Sequence, residues 1–275
     1  MPNLNINGTD LYYEIHGSTG ETLVLVHGSW VDHYSWNAVI KTLTDQFRVL
    51  IYDRRGHSKS ARGTTPVTMT DHISDLCGLI ESLDFATAHV AANSSGAIIA
   101  LRLGVSRPDL FKSLMIHEPP LTTLLAKDET LRPQMEEASR HASAVVALLE
   151  QGKTAEGVEL FVDTMALGPG QWAKMPQQVR DLFISNASTF LSEVRDPASF
   201  DIELASLRAI RFPVLLTTGT LSPPMFGRVA ALLENAIPGV ERKVFDGAGH
   251  VPQSTHPGEY IATIGAFVAA ETIMK

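Results

Sequence analysis

The sequence predicts an α/β fold, a mostly parallel sheet flanked by helices, and three observations carry that expectation. Short β-rich runs alternate with helically spaced segments through the first 120 residues, the order that a parallel sheet with helical crossovers requires. Several apolar runs end abruptly in turns of small residues with polar, reactive side chains: His27-Gly28, Asn93-Ser94-Ser95-Gly96 and Gly247-Ala248-Gly249-His250. Strand character disappears from 121 to 208 and then returns. That pattern places a helical cap inside one sheet domain, with a core of 1–120 and 209–275 and a cap of 121–208, and no internal repeat argues otherwise.

Taken in order, Leu11 to Ile15 reads as an early strand, and Thr22 to Val26 as a fully apolar one. Phe47 to Tyr52 is the next strand, closed by the turn Asp53-Arg54-Arg55-Gly56-His57-Ser58, whose charged residues can pair and fix neighbouring loops. Ile73 to Leu83 has helical spacing, and Ala88 to Ala92 is a strand feeding the helical run Ala97 to Leu103. Ser113 to Ile116 is apolar and ends at His117-Glu118-Pro119-Pro120, where the paired prolines stop both ladder and helix. Beyond the insertion, strands are predicted at Phe212 to Thr218 and Arg242 to Phe245, and a helix at about Glu259 to Ala270.

The 275 residues are 44% hydrophobic, enough for a large core, and the net charge of −8 is spread without a basic cluster. Nucleic acid is therefore not an expected partner. No run of about 18 apolar residues occurs, and the N-terminus lacks the basic and apolar parts of a signal peptide, so no membrane association and a cytoplasmic location are expected. Cys77, the single cysteine, lies in a helical stretch and reads as a small core residue, with a catalytic thiol as the alternative. Neither H-E-x-x-H nor G-x-G-x-x-G is present, and no metal or cofactor is expected.

Ala92-Asn93-Ser94-Ser95-Gly96 is a variant of the G-x-S-x-G turn between strand and helix. Small residues two before and two after the serine let the chain turn sharply, which makes Ser94 the exposed apex. The competing reading is an ordinary helix N-cap. His250, in a glycine-rich turn after the last strand, supplies a base for that hydroxyl, since neutral imidazole, with an ordinary pKa near ~6.5, can take the proton and return it.

With these residues in this order the chain resembles the α/β-hydrolase superfamily over nearly its whole length, least in the cap. The resemblance is carried by His27-Gly28-Ser29-Trp30, the Asp53 to Ser58 turn, the elbow at Ser94 and Gly247 to His250. It implies an eight-stranded sheet, a Ser-acid-His triad, a pocket between sheet and cap, and an oxyanion hole made by two backbone N–H groups. Here those donors are Ser95 and Ser29, with Trp30 as the alternative second donor. Family members often carry the acid just beyond the glycine after the seventh strand, but Gly219 is followed by Thr220, Leu221, Ser222 and two prolines. Glu118 is the expected replacement, a placement similar to that of zearalenone-type lactone hydrolases; Asp246 is the next candidate and an acid-free dyad the last.

Gly28, Trp30 and His33 are the candidate substrate-binding residues, with packing as the alternative for the two larger ones. Phe161, Met165, Trp172, Met175 and Phe183 give the cap apolar surface, which suits a small apolar ester or lactone, and core packing accounts for them equally well. The expected activity is that of a carboxylesterase or lactonase. Carbon–carbon bond hydrolysis, perhydrolysis and ligand binding with an idle triad are the rivals.

Overall fold

The computed structural model describes residues 2–63 and 66–273. Eight strands form one sheet: β1 (Asn3–Ile6), β2 (Thr9–His16), β3 (Glu21–Val26), β4 (Phe47–Tyr52), β5 (Ala88–Asn93), β6 (Phe111–His117), β7 (Val214–Gly219) and β8 (Glu241–Phe245). Their spatial order is β1-β2-β4-β3-β5-β6-β7-β8. The β1–β2 and β2–β4 pairs are antiparallel and all others parallel. The β1–β2 hairpin turns at Asn7-Gly8, both in the left-handed region that such a tight turn demands.

Period-two alternation decides which face each strand residue covers. Val24, Val26, Leu50 and Tyr52 point into one core with α2 (Met69–Ser82), α3 (Ser95–Ser106) and α8 (Pro224–Ala236). Leu23, Leu25, Val49 and Ile51 point into the other with α1 (Asn37–Leu43) and α10 (Pro257–Ile273); the short α9 (Pro252–Thr255) precedes α10. Because both faces are covered, the central strands read as continuous apolar runs, β5 being buried at every position.

Between β6 and β7 lie α4 (Arg132–Glu150), α5 (Thr154–Phe161), α6 (Gln171–Lys174) and α7 (Gln177–Arg195). These helices and the turn after α5 build a third apolar cluster from Val145, Leu149, Val158, Val162, Trp172, Ala187 and Phe190, and Trp30, from the loop after β3, is planted in it. Trp30 stacks at 4.5 Å on Phe161 and packs at 4.8 Å on Phe190.

From β3 the chain crosses to β4 on one side and then to β5 on the other. The carboxyl ends of β3 and β5 therefore meet at the point where the strand order reverses, the place where open α/β sheets form a crevice. Val26 pairs with Ala92 there, which sets Gly28 beside Ser94.

Candidate active site

Ser94 follows β5 directly and has φ 57° and ψ −128°, strained values for a residue with a side chain. Its backbone N–H donates to His117 O at 2.9 Å, and its side chain makes no capping bond to α3. The hydroxyl is thus left for other use. Glycine on both sides is a matter of space: a Cβ on Gly96 would come within 2.5 Å of the carbonyl oxygens of Val26 and His27, and one on Gly28 within 2.9 Å of Ser94 Cβ. Gly28 therefore lies directly against the Ser94 side chain.

His250 and Glu118 are brought together. His250 Nδ1 stands 2.7 Å from Glu118 Oε2, while Glu118 Oε1 accepts the Gly219 N–H at 2.8 Å. The carboxylate belongs to the end of β6 and reaches over the end of β7, filling the position where no acid follows Gly219. Glu118 has φ 48°, and this left-handed turn after the last ladder residue goes with a side chain that meets β7 and the His250 turn. Asn93 Nδ2 donates to His250 O at 2.9 Å, tying the histidine loop to the residue before Ser94. Phe226 of α8 stacks on the imidazole at 4.8 Å.

Burial alone would raise the Glu118 pKa, but His117 and His250 both face the carboxylate and hold it well below the usual range, so it is ionised at neutral pH. His117 Nε2 stands 3.5 Å from Oε2, and burial keeps that imidazole below its ordinary pKa. Asp246 is exposed and accepts from Thr220 Oγ1 at 3.3 Å.

His33 is buried, with Nδ1 2.6 Å from Asp53 Oδ1, and Trp30 is buried among helical-segment aromatics. Ser29 and Ser95 are neighbours, their hydroxyls 3.0 Å apart. Sequence reasoning did not find Glu193, a buried carboxylate on α7 that accepts from Ser29 Oγ at 2.5 Å and from Arg54 Nη2 at 2.6 Å. It also did not find Asn186, two turns earlier on the same face of α7, whose Nδ2 donates to Trp30 O and Val31 O at 3.2 and 3.3 Å.

Among the described residues two groups bring metal-binding atom types within 4.8 Å of one another: His117, Glu118 and His250, and Asp32, His33 and Asp53. In the second, Asp32 accepts from Tyr34 N–H and Ser58 Oγ, and Asp53 from His33 and Lys59 N–H, so every carboxylate oxygen is already satisfied within the protein.

The strained serine and the histidine–carboxylate pair both lie beyond the carboxyl ends of the sheet strands. Residues 23–263 match the alpha/beta hydrolase family, and the chain belongs to it. It is 31% identical over 170 residues to the uncharacterized hydrolase YraK of Bacillus subtilis (strain 168), a match covering 60% of this chain and 62% of that one. It is 26% identical to the pimeloyl-[acyl-carrier protein] methyl ester esterase of Serratia marcescens over 95% of this chain and 99% of the relative. In three dimensions it is similar to the enol-lactonase from Burkholderia xenovorans LB400, with a TM-score of 0.71 and 22% identity over 98% of this chain and 100% of the other. Among the described residues no helix is long and apolar enough to cross a membrane.

Proposed function

We propose that this protein is a serine hydrolase that cleaves carboxylic esters or lactones through Ser94, His250 and Glu118, with the helices between β6 and β7 as a cap over the site. The observation that carries the reading is a histidine held by a buried carboxylate at 2.7 Å, its loop tied through Asn93 to the residue before a strained, uncapping Ser94.

Ser94 Oγ attacks the carbonyl carbon while His250 Nε2 takes its proton; Glu118, on Nδ1–H, keeps the productive tautomer and stabilises the imidazolium. The negative oxygen of the tetrahedral intermediate is held by the backbone N–H of Ser95 and that of Ser29 or Trp30. Each such donor contributes about 2.7–4 kcal/mol. Collapse expels the alkoxide, which takes the proton from His250, and water activated by the same imidazole releases the acyl group. The apolar side chains of the cap suit a small apolar acyl group or ring, and the ester- and lactone-cleaving relatives support the substrate class.

The test is hydrolysis of p-nitrophenyl esters of two to eight carbons and of simple lactones by the wild type and Ser94→Ala. Turnover that disappears in Ser94→Ala, with a burst of p-nitrophenol in the wild type, supports the acyl-enzyme. Turnover indifferent to Ser94 refutes it.

A further inference from the structure

Four side chains close a hydrogen-bonded ring beneath the residues assigned to the oxyanion hole. Arg54 Nη1 donates to Ser95 Oγ at 3.0 Å, Ser95 and Ser29 share a hydrogen bond at 3.0 Å, Ser29 Oγ donates to Glu193 Oε2 at 2.5 Å, and Glu193 Oε1 accepts from Arg54 Nη2 at 2.6 Å. Each serine hydroxyl has one proton, which orders the ring: Ser95 donates to Ser29 and Ser29 to Glu193. Arg54 and Glu193 are 1% and 4% exposed, so the pair is shielded from solvent screening.

Three members belong to the sheet domain and Glu193 alone to α7. Asn186, Phe190 and Glu193 follow one another at helical spacings of four and three, one face of α7, and all three grip the same loop. Asn186 binds the Trp30 and Val31 carbonyls, Phe190 packs on the Trp30 ring, and Glu193 takes the Ser29 hydroxyl. Trp30 itself holds φ 68°, a left-handed value that an unsupported tryptophan would leave. The loop that provides the second backbone donor is thus held from the helical segment as well as from the residues around Ser95 and Asp53.

We propose that Glu193 is a positioning residue: by closing the ring through Ser29, Ser95 and Arg54 it sets the two backbone donors, so that the oxyanion hole is complete only while α7 is seated. The inference rests on the serine-hydrolase reading given above. Because the donors act on the tetrahedral oxygen, loosening them lowers kcat and leaves KM nearly unchanged, and a displacement of about 1 Å is enough for a loss of about 10²-fold.

The experiment compares wild type, Ser94→Ala, Ser29→Ala and Glu193→Gln for p-nitrophenyl acetate hydrolysis and for inhibition by 1-butaneboronic acid, which forms a tetrahedral adduct on the serine. Ser29→Ala keeps the backbone N–H and the Arg54–Glu193 pair and removes only the link between them, so it tests the ring even where Glu193→Gln fails to fold. The expected result is a fall in kcat of about 10- to 10²-fold in Ser29→Ala, KM within about threefold, and a matching rise in the boronate inhibition constant. A folded Ser29→Ala with unchanged kcat and boronate affinity overturns the proposal, as does a loss confined to KM. Full hydrolysis by Ser94→Ala would instead remove the underlying reading and this inference with it.

Discussion

Replacing Glu118 by glutamine separates the acid's charge from its shape. The carboxylate now accepts two hydrogen bonds, from Gly219 N–H at 2.8 Å and from His250 at 2.7 Å. An amide has one accepting atom. The backbone N–H of Gly219 can only donate, so the amide oxygen faces it and the NH₂ faces His250 Nδ1. Nδ1 must then accept, the imidazole proton moves to Nε2, and the base can no longer take the proton of Ser94. An acid-to-amide change of this kind lowers kcat by about 10⁴-fold, or about 5.4 kcal/mol in the barrier. The assay is kcat and KM for p-nitrophenyl butyrate, with circular dichroism and a thermal melt to show an intact fold. A loss of less than about tenfold in a folded Glu118→Gln, or an equal loss in Asp246→Asn, refutes the assignment of the acid.

Gly28→Ala places a methyl 2.9 Å from Ser94 Cβ, and we expect kcat/KM to fall by at least about 10²-fold with little change in melting temperature; normal activity would show that the backbone there does not face the reacting atoms. Trp30→Ala removes the ring stacked on Phe161 and Phe190 and should cost about 3–5 kcal/mol in urea unfolding, a reading below about 1 kcal/mol counting against a shared core. Burial pushes His27 down to about 3 and holds His57 and His72 well below 6.5. These groups are neutral when folded and take a proton near pH ~6.5 when unfolded, so stability is full above that pH and declines below it. Each contributes a loss of about 1.4 kcal/mol per pH unit, down to about pH 3 for His27, and a urea midpoint unchanged between pH 7 and 5 would contradict the buried neutral state.

Much of the sheet was legible because a parallel strand buried on both faces is an apolar run with abrupt ends. The strand readings at Phe47 to Tyr52 and Ala88 to Ala92 fall on β4 and β5 with at most one residue of difference. The β1 strand escaped because Asn3 to Ile6 is four residues long and half polar, although Asn7-Gly8 carried the hairpin signal. Ser94 and Glu118 stood out because each directly follows a strand, and His250 because it ends the glycine-rich turn after the last one. Glu193 and Asn186 had no such marker. They lie within an amphipathic helix, and their side-chain partners are 124 to 164 residues away, so only tertiary packing makes them different from any other polar helix residue. His33 shows the converse: its residue type and loop suggested a ligand contact, and the nearby Asp53 carboxylate claims its ring.

Because the carboxylate follows β6, the stretch after β7 carries no acid and binds the His250 turn instead. Gly219, the last residue of β7, gives its main-chain N–H to Glu118, and the space there admits only glycine, since a Cβ would meet Ala248 O at 2.3 Å. Leu221 is 73% exposed at that rim, next in sequence to the helix whose Phe226 covers His250. Thr220 Oγ1 accepts the Gly247 N–H at 2.8 Å and Leu221 N–H donates to Ala248 O at 2.9 Å, so this loop braces the turn that carries His250, and the Leu221 side chain can be exchanged without cutting either bond.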